Sequence, residues 1–272
     1  MAGTSALATT RIRFRRDAAR LTPGQATDVR KAYAGMMVLN DVDERSYARF
    51  AGLHGLPLPI ECQHGTPLFL PWHRAFLHSF ERAMRDRVPD ATLAWWNWAT
   101  PDGQLGSVPS LFADERAGRA ANPLFSAQVS ERALQQGKDN GRPAPGPKTI
   151  RQPGIGGRRL PRASEVRSLI AIPDFAQFNT ALEELHGQIH VWTSGHMGLI
   201  PYAGFDPIFW AHHSMVDRLW RLWQIRHNAP GPHPSLWGQA LPPFGMTVAQ
   251  TLDVTLLGYD YASSTASQPV SG

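Results

Sequence analysis

The stretch Phe205–Trp223, FDPIFWAHHSMVDRLWRLW, sets the tightest limits on what this chain can become. Asp206 followed by Pro207 is a helix start: the carboxylate can accept from free backbone N–H groups, and proline at the first helical position gives up only an N–H that has no partner. Phe209, His213, Val216, Trp220 and Trp223 then recur at helical spacing, which places His213 on a buried stripe. Asp217, one turn on, could hold that ring or a neighbour's. A buried neutral imidazole beside other histidines is the sequence pattern of a metal site; a core histidine bonded to Asp217 is the plainer alternative.

The rest of the chain can house such a helix. Its 272 residues suffice for one large domain, and 42% hydrophobic against 18% charged residues suits a globular protein with a sizeable core. One cysteine rules out an internal disulfide framework. No apolar run approaches the roughly 20 residues of a membrane span. The net charge of +5 comes largely from arginines in Arg11–Arg20 and Arg142–Arg167, expected as solvated loops without the aromatic or motif context of nucleic-acid binding. The N-terminal MAGTSALATTRIRFRR puts its basic residues after a weak apolar patch, the reverse of a signal peptide, so a cytoplasmic location is expected unless a partner carries the chain out.

In order, Arg11–Arg16 reads as a short strand or extended arm, and Thr22-Pro23-Gly24-Gln25 as a capping box before a first core helix. Tyr47–His54 is a short helix ending at Gly55. Glu61–Pro71 is a loop with Cys62 and His64, after which Pro71-Trp72-His73 opens a helix with His73, Leu77, Phe80 and Met84 on one face. His78 falls off that face and reads as a surface residue. Leu93–Trp98 is an aromatic core run. Asp102–Ile172 is rich in Gly, Pro, Arg and Ser and is expected as a surface excursion of turns and short strands. Phe175–Val191 returns to helical spacing, with His186 and His190 stacked on one face. The residues after about 262 form a Ser/Thr/Ala/Gly tail expected to be disordered. The fold class is therefore mainly α: a single domain with a four-helix bundle around the site, long loops and a few short strands.

Two histidine groups emerge: His54, His64 and His73, then His186, His190 and His213. Two such groups on four helices would face each other across a bundle core. Zinc-peptidase chemistry would need a glutamate after the first His of the pair, and here Gly187 follows His186. No carboxylates alternate with these histidines, which argues against a di-iron site. A paired, all-imidazole site fits copper best.

At these residues a family resemblance appears. His64-Gly65-Thr66-Pro67-Leu68-Phe69-Leu70-Pro71-Trp72-His73-Arg74 resembles the first copper segment of tyrosinases. Asp206-Pro207-x-Phe209-x-x-x-His213-x-x-x-Asp217 resembles the second copper signature of tyrosinases, catechol oxidases and haemocyanins, and His186-x-x-x-His190-Val191-Trp192 fits the helix before it. The resemblance implies a dinuclear copper protein of the tyrosinase and polyphenol oxidase family, using O2 to oxidise o-diphenols or o-aminophenols to o-quinones and also hydroxylating monophenols at the ortho position. It implies one copper on His54, His64 and His73 and a second on His186, His190 and His213, with His212 and Asp217 behind them. It also implies a thioether from Cys62 to a ring carbon of His64, as in fungal tyrosinases and molluscan haemocyanins. The bacterial tyrosinase pattern places Asn after the first ligand of the second site, where with a glutamate it orders a basic water; here that position is Gly187, and Glu183 or Glu184 would supply the carboxylate. Tyr259-Asp260-Tyr261 resembles the family's Tyr-x-Tyr motif, which packs against an N-terminal arginine, Arg13 or Arg15, so that no C-terminal shielding domain is expected. The implied partners are a small phenolic substrate and, as for some bacterial relatives, a caddie-type copper-delivery protein. Reversible O2 carriage of the haemocyanin type is the alternative activity.

Overall fold

The computed structural model describes residues 11–101, 104 and 106–262; the expected tail after 262 lies outside them. The chain enters as strand β1 (Arg13–Asp17). Thr22 then accepts the Gln25 N–H while the Gln25 side chain takes the Thr22 N–H, and Pro23 opens helix α1 (Pro23–Met37). This is the reciprocal cap that the Thr-x-x-Gln spacing predicts. Ser46 caps α2 (Tyr47–His54), which ends at Gly55, where a side chain would overlap the Pro201 backbone. Helix α3 (Phe69–Arg87) starts at Phe69 rather than Pro71, because a proline within the first turn sacrifices no helical hydrogen bond. Strand β2 (Ala94–Trp95) follows from the aromatic run.

The 102–172 excursion holds more helix than expected. It contains α4 (Ser110–Ala113), the hairpin of β3 (Arg116–Ala117) and β4 (Ala120–Ala121), α5 (Glu131–Asp139) and α6 (Ala163–Ile170). Local caps start the two longer helices. The Ser130 hydroxyl accepts from the Ala133 N–H, and Glu165 takes the Arg162 N–H. Helix α5 buries only Ala133 and Gly137, too little apolar surface to show as a period.

Helix α7 (Phe175–Thr193), the short α8 (Ile200–Ala203) and α9 (Pro207–His227) complete the bundle. The chain closes through β5 (Ala240–Leu241), β6 (Met246–Thr247), α10 (Val248–Thr251) and β7 (Tyr259–Tyr261). Helices α1 and α9 pack on α3, α7 touches both α3 and α9, and α8 lies against α2. Helix α9 is buried on every side from Pro207 to Trp220, so the apolar stripe read from its sequence is one face of a fully enclosed helix. The Phe80 and Trp210 rings stack 3.5 Å apart between α3 and α9. Among the described residues no helix is long and apolar enough to cross a membrane.

Strand β1 is the centre of a parallel sheet in the order β2-β1-β7, with Arg13 opposite Tyr259 and Arg15 opposite Tyr261. This carries Arg15 into the core. It donates to both Glu81 carboxylate oxygens at 3.2 Å, to Asp217 Oδ2 at 3.2 Å and to the Tyr261 hydroxyl at 3.0 Å, and lies 3.6 Å from the Tyr259 ring centre. Arg74 binds the other Asp217 oxygen and lies over the Trp220 ring. The arginine that meets the Tyr-x-Tyr segment is thus Arg15, not Arg13. The basic stretches are not all solvated either, since Arg151 binds the buried Asp206 that caps α9.

Candidate metal centre

The candidate histidines reach one pocket from four helices and a loop. His54 is the last residue of α2, His73 lies in the second turn of α3, His186 and His190 project from α7, and His212 and His213 from α9. His64 comes from the loop before α3. The rings of His54, His64 and His73 have centres 5.3–5.8 Å apart, and those of His186, His190 and His213 4.6–5.5 Å apart. The two groups face each other: His73 and His213 stack at 4.6 Å and 12°.

The nitrogens converge as well as the rings. One from each of His186, His190, His212 and His213 lies within 4.8 Å of the others, as does one from each of His54, His73 and His213. His64 joins His54 and Cys62 in a third such group. Backbone carbonyls set the tautomers. His73 Nδ1 meets the Phe69 carbonyl at 2.8 Å, His186 Nδ1 that of Glu183 at 3.0 Å, and His190 Nδ1 that of Met197 at 2.8 Å. An Nδ1–H donated to a carbonyl leaves the Nε2 lone pair free for a metal. The Nε2 atoms of His73 and His186 and both ring nitrogens of His54 are buried without a partner. Each such orphan costs about 1–3 kcal/mol, which a bound cation would relieve. The donor set of imidazoles alone suits copper, and the residues present therefore fit it.

Electrostatics favour the same use. Burial first, then neighbouring imidazoles, hold His54, His73, His186, His212 and His213 well below the usual histidine range. Burial lowers His190 to about 4 and also lowers His64. Neutral rings are the form that binds metal. Phe209 packs on His54 and His213 at 4.6 and 4.2 Å, and Phe69 on His73 and His186 at 4.7 and 5.0 Å, walling the pocket with apolar rings.

The residues around the imidazoles are arranged differently from the sequence reading in two places. Asp217 touches no imidazole. Its oxygens are taken by Arg15, Arg74, Tyr259 and Tyr261. Burial would raise its carboxyl, but Arg74 and Arg15 overcome that and hold it below the usual range. His78 is half-buried rather than on the surface, with Arg15 of β1 and Glu81 close enough to act on its charge. Its Nδ1 has no partner, and burial lowers its pKa to about 4.

The other predicted residues fall around the pocket. His212 is fully buried with both nitrogens unpartnered, its ring parallel to His186 at 5.2 Å and edge-on to His190 at 4.8 Å. Cys62 Sγ lies 3.4 Å from His64 Nδ1, and burial pushes its thiol up to about 12. Glu183 accepts the Gly65 N–H at 2.7 Å, while Glu184 carries no such contact to the loop. A Cβ at Gly187 would meet open space. Arg74 and Glu81, which anchor the buried ion cluster, gave no signal in the sequence, since a charged residue on a helix is ordinarily solvated.

Paired imidazole groups enclosed by helices define a metalloprotein of the bundle type. The family described as the common central domain of tyrosinase matches residues 44–226. The chain belongs to the tyrosinase family, which binds two coppers and includes oxidoreductases acting on small phenols. It is 34% identical to a tyrosinase of Streptomyces lincolnensis over 195 residues, covering 63% of this chain and 68% of that one. It is also 31% identical to haemocyanin A-type, units Ode to Odg, of Enteroctopus dofleini over 205 residues, covering 69% of this chain but only 16% of the relative. Among solved structures, the Burkholderia thailandensis tyrosinase at high pH superposes with a TM-score of 0.75 at 20% identity, over 96% of this chain and 75% of that one. A functional unit of octopus haemocyanin gives 0.73 at 24% identity, over 92% and 68%.

Proposed function

We propose that the protein is a dinuclear copper oxidase that uses O2 to convert o-diphenols or o-aminophenols to o-quinones, with ortho-hydroxylation of monophenols as a second activity of the same site. The observation that carries this reading is the convergence of buried, unpartnered imidazole nitrogens from opposite sides of one pocket. His54, His64 and His73 would hold one copper, and His186, His190 and His213 the second; His212 stands behind the second group and packs its ring on His186. Copper, when bound, supplies O2 activation and the oxidising equivalents. The carbonyls of Phe69, Glu183 and Met197 hold three ligand rings in one tautomer. The Phe69 and Phe209 rings keep water from the imidazoles, which strengthens every charge interaction inside.

A phenol would enter beside Gly187, whose missing side chain leaves open space on α7. That position holds no amide to orient a basic water, which supports diphenol oxidation as the faster reaction. Cys62 would form a thioether with a ring carbon of His64, the S–H and C–H hydrogens passing to the O2-derived oxidant; the 3.4 Å approach of Sγ to the ring supports it.

Reversible O2 binding is the second reading, favoured by the haemocyanin relatives. A copper-loaded sample assayed on a monophenol, a catechol and an o-aminophenol separates them. Quinone absorbance from the catechol is expected. Reversible O2 uptake with no quinone from any of the three would replace the oxidase reading with carriage.

A further inference from the structure

Of the six histidines assigned to copper, five stand on helices and His64 alone stands on a loop. A ligand on a loop keeps its geometry only where something rigid holds that loop. Here the hold is α7. One Glu183 carboxylate oxygen accepts the Gly65 N–H at 2.7 Å, and Asn179 Nδ2, one turn earlier on the same face, donates to the Thr66 carbonyl at 3.2 Å. Gly65 has φ +66°, a left-handed turn that suits glycine at the point where its N–H meets the carboxylate. Glu183 also acts within its own helix, because its backbone carbonyl receives the Nδ1–H of His186 at 3.0 Å. The rings on either side of it, His64 and His186, lie 5.8 Å apart and within 21° of parallel.

We propose that Glu183 is the positioning residue that couples the two copper groups. Its carboxylate fixes the loop that presents His64, and its carbonyl fixes the ring of His186. This inference rests on the copper reading above.

The test uses the full chain loaded with copper, as wild type, Glu183→Gln, Glu183→Asp and Glu183→Ala. It reads copper per chain by elemental analysis and electron paramagnetic resonance of the oxidised protein. Two adjacent Cu(II) ions couple and are silent, whereas a lone or displaced ion gives a signal. Wild type is expected to hold two coppers and be silent. Glu183→Gln keeps an acceptor oxygen for Gly65 and is expected to match it. Glu183→Ala, and Glu183→Asp with its shorter reach, are expected to lose copper affinity by about 10-fold or more, or to become visible by resonance. The proposal is overturned if Glu183→Ala stays silent with two coppers. It is equally overturned if Glu183→Asp behaves as wild type while Glu183→Gln fails, because charge and not reach would then matter. If Glu183→Ala does not fold, the Asp and Gln pair decides alone. A wild type that never holds two coupled coppers sinks the copper reading itself, not merely the role of Glu183.

Discussion

His73 and His213 approach the pocket on helices locked by a buried ion cluster, whereas His64 approaches on a stretch without regular structure. On the first side, Arg15, Arg74, Glu81 and Asp217 lie almost entirely out of water and tie β1, α3, α9 and β7 together. Arg74 adjoins His73 in the chain and Asp217 follows His213 by one turn, so the cluster sets the register of the two helices. On the second side, hydrogen bonds from α7 and the approach of Cys62 hold the loop. Imidazoles on enclosed helices are placed by the whole core, while an imidazole on a loop depends on a few bonds. The first kind of support fails with the fold; the second fails locally.

Four substitutions test that contrast, from the largest expected effect downward. Asp217→Ala leaves Arg74 buried without a carboxylate partner and Arg15 with Glu81 alone, so denaturant unfolding should show a loss of about 3–5 kcal/mol, with both histidine groups disturbed together. A near-wild-type midpoint would refute the cluster as the brace of α3 and α9.

Acid stability is next. His78 sits among Arg15, Glu81, Arg82 and Arg85, and its folded pKa is depressed from 6.5 to about 4. Below pH 6.5 the unfolded chain takes up a proton that the folded one refuses. The contribution is therefore full above 6.5 and declines as pH falls toward 4, by roughly 3 kcal/mol in all. Thermal melts of the protein across that pH window should show a shallower decline for His78→Gln than for wild type; parallel curves would mean that His78 is not held neutral.

On the loop side, Cys62→Ser should leave the fold unchanged and lower copper affinity by about 10-fold. Intact mass supplies the check on its chemistry. The copper-loaded wild type should lose two hydrogens and resist alkylation at Cys62 in denaturant, and an unchanged mass would rule out the thioether. Smallest of all, Gly187→Ala places a methyl in open space within α7 and should stabilise the chain by about 0.5–1 kcal/mol. Destabilisation there would show that the mouth of the pocket is tighter than its geometry indicates.

The helices that carry the site were legible because their signals are local. The Thr22 cap, the Tyr47–His54 helix ending at Gly55, and the Asp206-Pro207 start of α9 are all present, since capping involves residues only a few positions apart. The helices within 102–172 leave little trace in the sequence because α5 and α6 bury few side chains and so carry little period. The half-burial of His78 is hidden for a related reason: helical spacing shows which face a residue shares, not what packs against that face.

The histidine pairs and the family motifs could be read from the chain alone, because spacing along one helix and the long motifs around it are properties of contiguous residues. It took folding to give Asp217 to arginines and tyrosines rather than to a histidine, and to bring Glu183 to the His64 loop across 118 residues. Those pairings depend on charges and backbone groups brought together by packing, and sequence spacing carries no record of distances between segments that meet only after folding.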